Sequence, residues 1–237
     1  MSWDVIVIGG GASGLMAAGR AAESGARVLL LEKMGRVGIK LGLTGKGRCN
    51  VTNAGDLRDF IESYRSNGKF LHNAFSRFFN DDLISFLRQR GVPLVEERGR
   101  RVFPASNRAQ DVVRALRDYS LSSGAEIRVG SPVRGILLDQ GRAAGVKTGS
   151  GELRAGRIVV ATGGVSYPET GSAGDGYTWA RELGHTVEPI SPALVPLETD
   201  GPEARELQGL ALKNVRASLV SPSGKVMAEE FGEMLFT

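Results

Sequence analysis

Residues 4–15 read Asp-Val-Ile-Val-Ile-Gly-Gly-Gly-Ala-Ser-Gly-Leu, and this opening stretch decides the fold. Its first five residues are mostly β-branched and apolar, which is typical of a short strand buried on both faces of a sheet. The alanine-rich segment 15–24 follows the glycines and predicts a helix that ends at Gly25. A second apolar run, 27–31, leads into Glu32. Strand, helix and strand in this order predict a βαβ unit with parallel strands.

The glycines between the first strand and the helix have the spacing of a dinucleotide-binding turn, Gly9-x-Gly11-x-x-Gly14. The first glycine allows a tight turn, the second lets the backbone approach a pyrophosphate, and the third lets the helix pack closely on the strand. Glu32, 18 residues after Gly14, lies where a carboxylate accepts hydrogen bonds from ribose hydroxyls. An unliganded glycine turn is the alternative for an isolated motif. The complete βαβ unit favours a bound dinucleotide. The acidic Glu32 disfavours a dinucleotide that carries a 2′-phosphate on its ribose.

The composition is that of a globular protein with a sizeable core. Of the 237 residues, 41% are hydrophobic and 24% are charged, which excludes a disordered tail and a membrane protein. Glycine accounts for 33 residues, about twice the usual share, which indicates loops that approach a ligand closely. With one cysteine and two histidines, we expect neither an internal disulfide nor a metal site. The start of the chain lacks a signal-peptide pattern, so we expect a cytoplasmic protein without membrane contact.

Basic residues are concentrated in two stretches, although the net charge is a mild +4. Residues 33–49 contain five basic side chains and no acid, and residues 88–117 contain eight arginines against three acids. Such clusters suit an anionic small ligand at least as well as a nucleic-acid backbone. The arginines of 88–117 would bind substrate carboxylates or phosphates, or else form a solvated face. Because aromatic residues make up only 6% of the chain, we expect a small-molecule substrate and no nucleic-acid partner.

The rest of the chain predicts the other elements of an α/β fold with a mostly parallel sheet. Strands are expected at 126–129 and 157–161, an antiparallel meander at 133–138 and 143–147, and a hairpin over 93–103. Helices are expected within 57–90, over 107–121 with Ser106 as the N-cap, and over 176–183. After several prolines, short strands are expected at 194–198, 215–220 and 225–236. We therefore predict a Rossmann-like domain over 1–190 and part of a β-rich inserted domain over 191–237.

Three features favour FAD over NAD as the dinucleotide. A basic, glycine-broken loop directly after Glu32 suits a long ligand that runs on to a flavin. The meander interrupts the parallel sheet, unlike a regular second βαβ half. The strand at 157–161 then leads into Thr162-Gly-Gly, whose small residues permit close approach at the same edge of the sheet.

The sequence also resembles a known family. Residues 4–15 together with 31–33 resemble the FAD-binding start of the glutathione-reductase-like flavoproteins. Residues 38–53, Gly-Ile-Lys-Leu-Gly-Leu-Thr-Gly-Lys-Gly-Arg-Cys-Asn-Val-Thr-Asn, resemble more narrowly the signature of the BaiN/RdsA (YhiN-like) family of NAD(P)/FAD-dependent oxidoreductases. Segments 101–106, 161–168 and 171–177 resemble the same family. Its members are considerably longer, which implies that this chain is a fragment or a shortened version.

The resemblance implies an FAD site and names no catalytic residue. The FAD contacts that it implies are Gly9, Gly10, Gly11, Ala12, Ser13, Gly14, Glu32, Lys33, Gly38, Lys40, Arg48, Cys49, Asn50, Val133, Ala161, Thr162 and Gly163. Lys40 and Arg48 are candidates to stabilise a reduced, anionic flavin. Tyr167 either donates a proton or only packs, and Cys49 either packs in the flavin loop or takes part in redox chemistry.

We therefore expect an FAD-dependent oxidoreductase that transfers hydride between a small organic substrate and a nicotinamide cofactor or oxygen. NAD(P)H would visit the flavin transiently, because no second dinucleotide motif follows the first one. The alternative is a truncated, non-catalytic module that binds FAD or another nucleotide.

Overall fold

The N-terminal βαβ unit forms as the sequence predicts. In the computed structural model, which describes residues 2–192 and 195–236, strand β1 spans Trp3–Ile8, helix α1 spans Ala12–Glu23 and strand β2 spans Val28–Leu31. The two strands are parallel, with Ile8 opposite Leu31 in the register. The turn that joins β1 to α1 therefore lies at the carboxyl edge of the sheet, where ligands of α/β proteins bind.

The central sheet has six strands in the order β6-β2-β1-β9-β8-β7. Its remaining members are β6 (Glu126–Arg128), β7 (Val133–Asp139), β8 (Arg142–Thr148) and β9 (Gly151–Val160). Strand β9 is longer than predicted, because its first half pairs antiparallel with β8 and its second half pairs parallel with β1. The meander and the parallel sheet are thus one continuous sheet, and Val160 ends beside Ile8 at the carboxyl edge.

A second layer of short elements follows β2 and precedes β6. It contains helices α2 (Ile39–Leu43), α3 (Leu57–Ser63), α4 (His72–Phe75), α5 (Asn80–Gln89) and α6 (Ala109–Ser122), 3₁₀ turns at Thr44–Gly47 and Arg65–Leu71, and strands β3 (Thr52–Asn53), β4 (Leu94–Glu97) and β5 (Arg101–Pro104). Strands β4 and β5 form the predicted hairpin, and β3 adds to β5 to complete a small antiparallel sheet.

The predicted N-cap of helix α6 is wrong. The helix begins at Ala109, and the residue at the cap position is Arg108, which makes no side-chain cap hydrogen bond. Asn107 adopts a left-handed conformation with φ of 55°, which turns the chain before the helix starts. The Ser106 hydroxyl instead donates to the Asp111 carboxylate at 2.6 Å.

The core packs against both faces of the central sheet. Val7 and Leu30 contact the cluster that includes Leu15 of α1 and Leu116 of α6, whereas Ile6 belongs to the cluster on the opposite face. This alternation confirms that β1 is buried on both faces. Full burial of both sides explains why the strand is a nearly continuous apolar run.

The chain divides into two compact units, Met1–Val187 and Glu188–Thr237. The first unit ends soon after helix α7, Asp175–Glu182. The second unit contains the short helix α8 (Glu203–Glu206) and an antiparallel pair of strands, β10 (Ala211–Val220) and β11 (Val226–Leu235). The strand predicted at 194–198 is not formed over 195–198, and Leu194 lies outside the described residues. Within the described ranges, the helices are too short or too polar to cross a membrane.

Candidate functional site

A cavity of about 360 Å³ opens at the carboxyl edge of the central sheet. Strands β1, β2 and β9 all end there, so the turns that follow them share one space. Residues from every one of these turns line it: Ile8, Gly9, Gly10, Gly11, Ala12, Ser13, Leu31, Glu32, Lys33, Arg36, Gly38, Ile39, Lys40, Leu41, Thr44, Ser131, Val133, Ala161, Thr162, Gly163, Thr170, Gly171, Ser172, Asp175 and Trp179. The cavity is within the range of small-molecule and cofactor sites, about 300–1,000 Å³.

The three glycines of the motif are required for different reasons. A Cβ on Gly9 would lie 2.5 Å from the Ala161 carbonyl oxygen, and Gly9 also has a φ of +104°. A Cβ on Gly14 would lie 1.8 Å from the Gly9 carbonyl oxygen. A Cβ on Gly11 would meet no atom within 4 Å. Protein packing therefore accounts for Gly9 and Gly14, whereas Gly11 faces the space that a ligand would fill.

The N-terminus of helix α1 is directed at the same space. Leu15 donates the first helical hydrogen bond, to the Gly11 carbonyl at 2.9 Å, and the cap residue Gly11 offers no side-chain acceptor. The N–H groups of the first turn and the positive end of the helix dipole are therefore available to an anion.

Glu32 follows β2 directly and is anchored by backbone N–H groups. Its Oε2 accepts from Gly10 at 2.6 Å, and its Oε1 accepts from Met34 at 2.8 Å. A carboxylate has about four acceptor positions, so each oxygen can accept one further hydrogen bond. The carboxylate is thus fixed in the cavity wall and still able to bind a pair of hydroxyl groups.

Two lysines of residues 33–49, which we call the basic segment, extend to the loop that precedes α7. Lys33 Nζ forms an ion pair with Asp175 Oδ2 at 2.7 Å. Lys40 Nζ donates to Ser172 Oγ at 3.4 Å and to the Ser166 carbonyl at 3.3 Å. All but Ser166 line the cavity, so both lysines place positive charge in its wall.

Asp175 and Ser172 were missed by the sequence analysis. The available signal was Gly-Asp-Gly at 174–176, where Gly174 has a positive φ and caps the helix. The meaning of this pattern depends on the contact with Lys33, which lies 142 residues away in the sequence.

The structure places four of the predicted contact residues outside the cavity lining: Gly14, Arg48, Cys49 and Asn50. The Arg48 side chain forms an ion pair with Glu97, donates to Asn107 Oδ1 at 2.7 Å and stacks 4.2 Å from the centre of the Phe103 ring. The Arg48 guanidinium is thus engaged with the β4–β5 hairpin and the turn before α6.

Cys49 and Tyr167 have contrasting environments. Cys49 is fully buried, and this burial raises the pKa of its thiol, although a hydrogen bond with Thr44 opposes the shift. A neutral buried thiol is a poor nucleophile, which favours the packing role. Tyr167 is 63% exposed and lies outside the cavity lining. Across residues 2–192 and 195–236, no group of three or more His, Cys, Asp or Glu side chains could hold a metal ion.

Comparison with known proteins identifies relatives over nearly the whole chain. The family model described as the HI0933-like protein Rossmann domain matches residues 3–233. A 3-dehydro-bile acid delta(4,6)-reductase of Clostridium scindens is 32% identical over 98% of this chain and 56% of its own length. A ribosomal RNA dihydrouridine synthase of Escherichia coli is 32% identical over 99% of this chain and 57% of its own length. The chain therefore spans just over half the length of these curated relatives.

Solved structures share the fold at lower identity. Mycobacterium smegmatis Sdh1 in complex with UQ1 matches with a TM-score of 0.60 and 21% identity, over 77% of this chain and 38% of that one. The open conformation of a flavocytochrome c3 fumarate reductase matches with a TM-score of 0.57 and 18% identity, over 90% and 47% of the two chains. At these identities the likeness concerns the fold alone.

Proposed function

This chain belongs to the HI0933-like protein Rossmann domain family, which confirms the family resemblance of its sequence, and we propose that its sheet-edge cavity binds FAD for an oxidoreductase reaction. The observation that carries the proposal is the gap over Gly11, bounded by the N-terminus of α1 and by the Glu32 carboxylate. The helix terminus suits the pyrophosphate, and the carboxylate suits the ribose hydroxyls.

The extent of the cavity supports FAD over a shorter nucleotide. The lining runs from Val133 and Glu32, past the glycine turn, to Lys40 and Thr44 of the basic segment. These residues come from separate parts of the chain, as contact with a ligand longer than an ADP group would require. When bound, FAD would supply the hydride-transfer chemistry.

The residues of the chain would position this cofactor and adjust its charge. Lys40 is the strongest candidate for stabilising negative charge in the cavity, because its ammonium group is held in the wall by two uncharged acceptors. Arg48 is a weaker candidate than the sequence suggested, because Glu97 already balances its charge. Thr162 and Gly163 would contact the cofactor from the end of β9.

The names of the relatives support a class of substrate. A delta(4,6)-reductase of a 3-dehydro compound reduces carbon–carbon double bonds in a molecule that carries a keto group, and dihydrouridine is uridine with two hydrogens added to its ring. We extend this shared chemistry to the present protein, as reduction of a carbon–carbon double bond conjugated to a carbonyl group. The net reaction adds one hydride and one proton across that bond, with NAD(P)H as the proposed source of the hydride.

The cofactor proposal is tested by comparing two glycine substitutions that both point into open space. Gly11→Val should remove the flavin from a folded protein, because the side chain fills the space left for the pyrophosphate. Gly35→Val is the matched control, since a Cβ there also meets no atom and Gly35 does not line the cavity. The measurements are the flavin released on denaturation and the far-UV circular dichroism of each protein.

Retention of stoichiometric flavin by folded Gly11→Val protein would refute the site. Anaerobic titration with NADH and then NADPH tests the reaction separately. Bleaching of the flavin absorbance near 450 nm supports an oxidoreductase. A flavin that stays oxidised with both donors would instead favour the non-catalytic nucleotide-binding module.

A further inference from the structure

The two lysines in the cavity wall are held in different ways. Lys33 forms an ion pair with Asp175, the first residue of α7, at 2.7 Å. Lys40 instead donates to the Ser172 hydroxyl at 3.4 Å and to the Ser166 carbonyl at 3.3 Å. Among the residues that the structure describes, no carboxylate forms an ion pair with Lys40. The charge of Lys33 is therefore balanced, whereas the charge of Lys40 is not.

Both partners of Lys40 belong to the loop that joins β9 to α7, residues 161–174, which we call the β9–α7 loop. Tyr167 in this loop is left-handed, with a φ of 56°. Its carbonyl accepts hydrogen bonds from the N–H and the hydroxyl of Thr170, at 2.9 and 2.7 Å. This turn begins directly after Ser166, so it fixes the direction of the carbonyl to which Lys40 donates.

The Ser172 hydroxyl is buried next to Lys40. Ser172 is 7% exposed, and within the described part of the chain Lys40 is the only hydrogen-bond partner of its side chain. A Cβ on Gly163 would lie 2.9 Å from Ser172 Oγ, and Gly163 has a φ of +77°. The hydroxyl thus gives a second reason for glycine at position 163, besides the cofactor contact that the sequence predicts there. Because buried polar groups need a partner, the contact with Lys40 accounts for a serine at this position.

The backbone near Lys40 is anchored as well. Gly38 N donates to the Gly10 carbonyl at 2.8 Å, and a Cβ on Gly38 would lie 2.6 Å from the Val113 side chain of α6. Helix α2, which carries Lys40, therefore starts at a fixed point beside the glycine turn. An ammonium group has three N–H donors. The β9–α7 loop uses two of them, so the third is available to a ligand in the cavity.

We infer that Ser172 is a positioning residue that holds the Lys40 ammonium group in the cavity wall as an unbalanced positive charge. A hydroxyl suits this role better than a carboxylate, because it accepts the N–H without cancelling the charge. For its effect on a flavin this inference rests on the proposed function, since a fixed cation stabilises the negative charge of the reduced form. Lys33 and Asp175 show the opposite arrangement at the end of the same loop.

The first test measures how firmly Lys40 is held, and it requires no bound flavin. The full-length wild-type, Ser172→Ala and Ser122→Ala proteins are treated with a limiting amount of an acetylating reagent at one pH. Acetylation of Lys40 is quantified by peptide mass spectrometry, relative to the exposed Lys147. Ser122→Ala is the matched control, because it also deletes one serine hydroxyl, at an exposed position of α6 outside the cavity lining.

Ser172→Ala should raise the relative acetylation rate of Lys40 by about 2- to 10-fold, the factor that corresponds to one modest hydrogen bond. Ser122→Ala should leave this rate at the wild-type value. Equal rates in the wild-type and Ser172→Ala proteins would overturn the inference, and circular dichroism verifies that each protein is folded.

The second test measures the reduction potential of the bound flavin in the wild-type, Ser172→Ala, Lys40→Met and doubly substituted proteins. Lys40→Met removes the charge and keeps an unbranched side chain. We expect it to weaken the preference for the reduced flavin about tenfold, which lowers the potential by about 30 mV for a two-electron couple. Ser172→Ala should lower the preference by a smaller factor, about 2- to 5-fold, because the charge is loosened but still present.

The double substitution distinguishes positioning from direct contact with the cofactor. In the Lys40→Met protein, Ser172→Ala should cause no further shift. A shift of the same size in both backgrounds would show that the hydroxyl acts on the flavin without Lys40, and would overturn the inference.

Ser172→Asp tests the importance of a neutral partner. A carboxylate at this position would pair with Lys40 as Asp175 pairs with Lys33, so the potential should fall at least as far as in Lys40→Met. A folded Ser172→Asp protein with the wild-type potential would contradict the inference. A wild-type protein without flavin would contradict the proposed function instead, and the acetylation rates would still decide the role of Ser172.

Discussion

Strands β2 and β10 are both rich in apolar residues, but they lie in different surroundings. All four residues of β2 are buried between the two core clusters. Strand β10 has no buried residue, and Leu219 in it is 64% exposed. Its partner β11 is similar, with Met227 also 64% exposed. The hydrophobic residues of a strand thus contribute to stability only where other elements cover them.

The same difference predicts how each unit responds to substitution. In the first unit the side chains of β1, β2 and β9 pack in the two core clusters. The sheet of β10 and β11 has two strands, and such a pair is marginally stable without a packed face. Matched substitutions in the two units should therefore give unequal effects, and each of the following pairs tests that expectation.

The largest difference is expected between Gly14→Ala and Gly232→Ala. A Cβ on Gly14 would lie 1.8 Å from the Gly9 carbonyl oxygen, whereas a Cβ on Gly232 would meet no atom within 4 Å. We expect Gly14→Ala to lower the free energy of unfolding by more than about 4 kcal/mol, and Gly232→Ala to change it by less than about 0.5 kcal/mol. The helix propensity gained with alanine, about 1 kcal/mol, is too small to offset the clash.

Urea unfolding followed by tryptophan fluorescence measures the first of these effects, because Trp3 and Trp179 both lie in the first unit. Amide hydrogen exchange in β10 and β11 measures the second. A Gly14→Ala protein as stable as the wild type would show that α1 can move away from β1, and the close packing described here would be wrong.

An intermediate effect is expected for Glu32→Gln, with Glu229→Gln as its control. Glu32 accepts two backbone hydrogen bonds inside the cavity, and Glu229 has two side-chain partners, Ser218 and Arg216, on the exposed hairpin. Glutamine at position 32 would turn an NH₂ group towards one of the N–H donors. We expect FAD affinity to fall by about 10- to 150-fold, or about 1.5–3 kcal/mol, since hydrogen bonds to a charged group are lost.

Fluorescence titration of the deflavinated proteins gives both dissociation constants. The value for Glu229→Gln should equal that of the wild type. An unchanged dissociation constant for Glu32→Gln would exclude Glu32 as a ribose ligand.

The smallest effect on the free energy of unfolding is expected from the titration of Cys49. Burial raises the pKa of this thiol in the folded state, so the folded protein favours the neutral form. The resulting stabilisation is fully present below the thiol pKa of the unfolded chain and is lost as the pH rises through the folded value. Stability should therefore begin to decline above about pH 8.5.

A Ser218→Cys variant places a second thiol on the exposed strand β10, so that the reactivity of a buried and an exposed thiol can be compared in one protein. With a thiol-specific disulfide reagent at neutral pH, the new thiol should react at least about tenfold faster than Cys49, which reacts only when the core opens. Two equal, fast phases would show that the loop around Cys49 is open.

Much of the first unit was predictable because its signals are local. The spacing of Gly9, Gly11 and Gly14 between an apolar strand and an alanine-rich helix specifies the turn, and Glu32 marks the end of the next strand. The family was also evident from residues 38–53, and the matched family model confirms it. The assignment of individual residues to FAD stays a proposal, although thirteen of the seventeen line one cavity.

One error has a local cause in the backbone, and another depends on a pairing between strands. Ser106 has the chemistry of an N-cap, but the left-handed backbone at Asn107 moves the start of α6 to Ala109. Strand β9 was predicted as a short parallel strand, because nothing in its sequence indicates that it also pairs with β8.

The sequence by itself determined the βαβ unit, the glycine turn and the family, because each depends on residues close together in the chain. Tertiary structure alone decided which charges act together. Asp175 meets Lys33 in the cavity wall, whereas Arg48 meets Glu97 and the Phe103 ring outside the cavity lining. The physical reason is that charge–charge interactions depend on distance in space, and composition and spacing along the chain do not fix that distance.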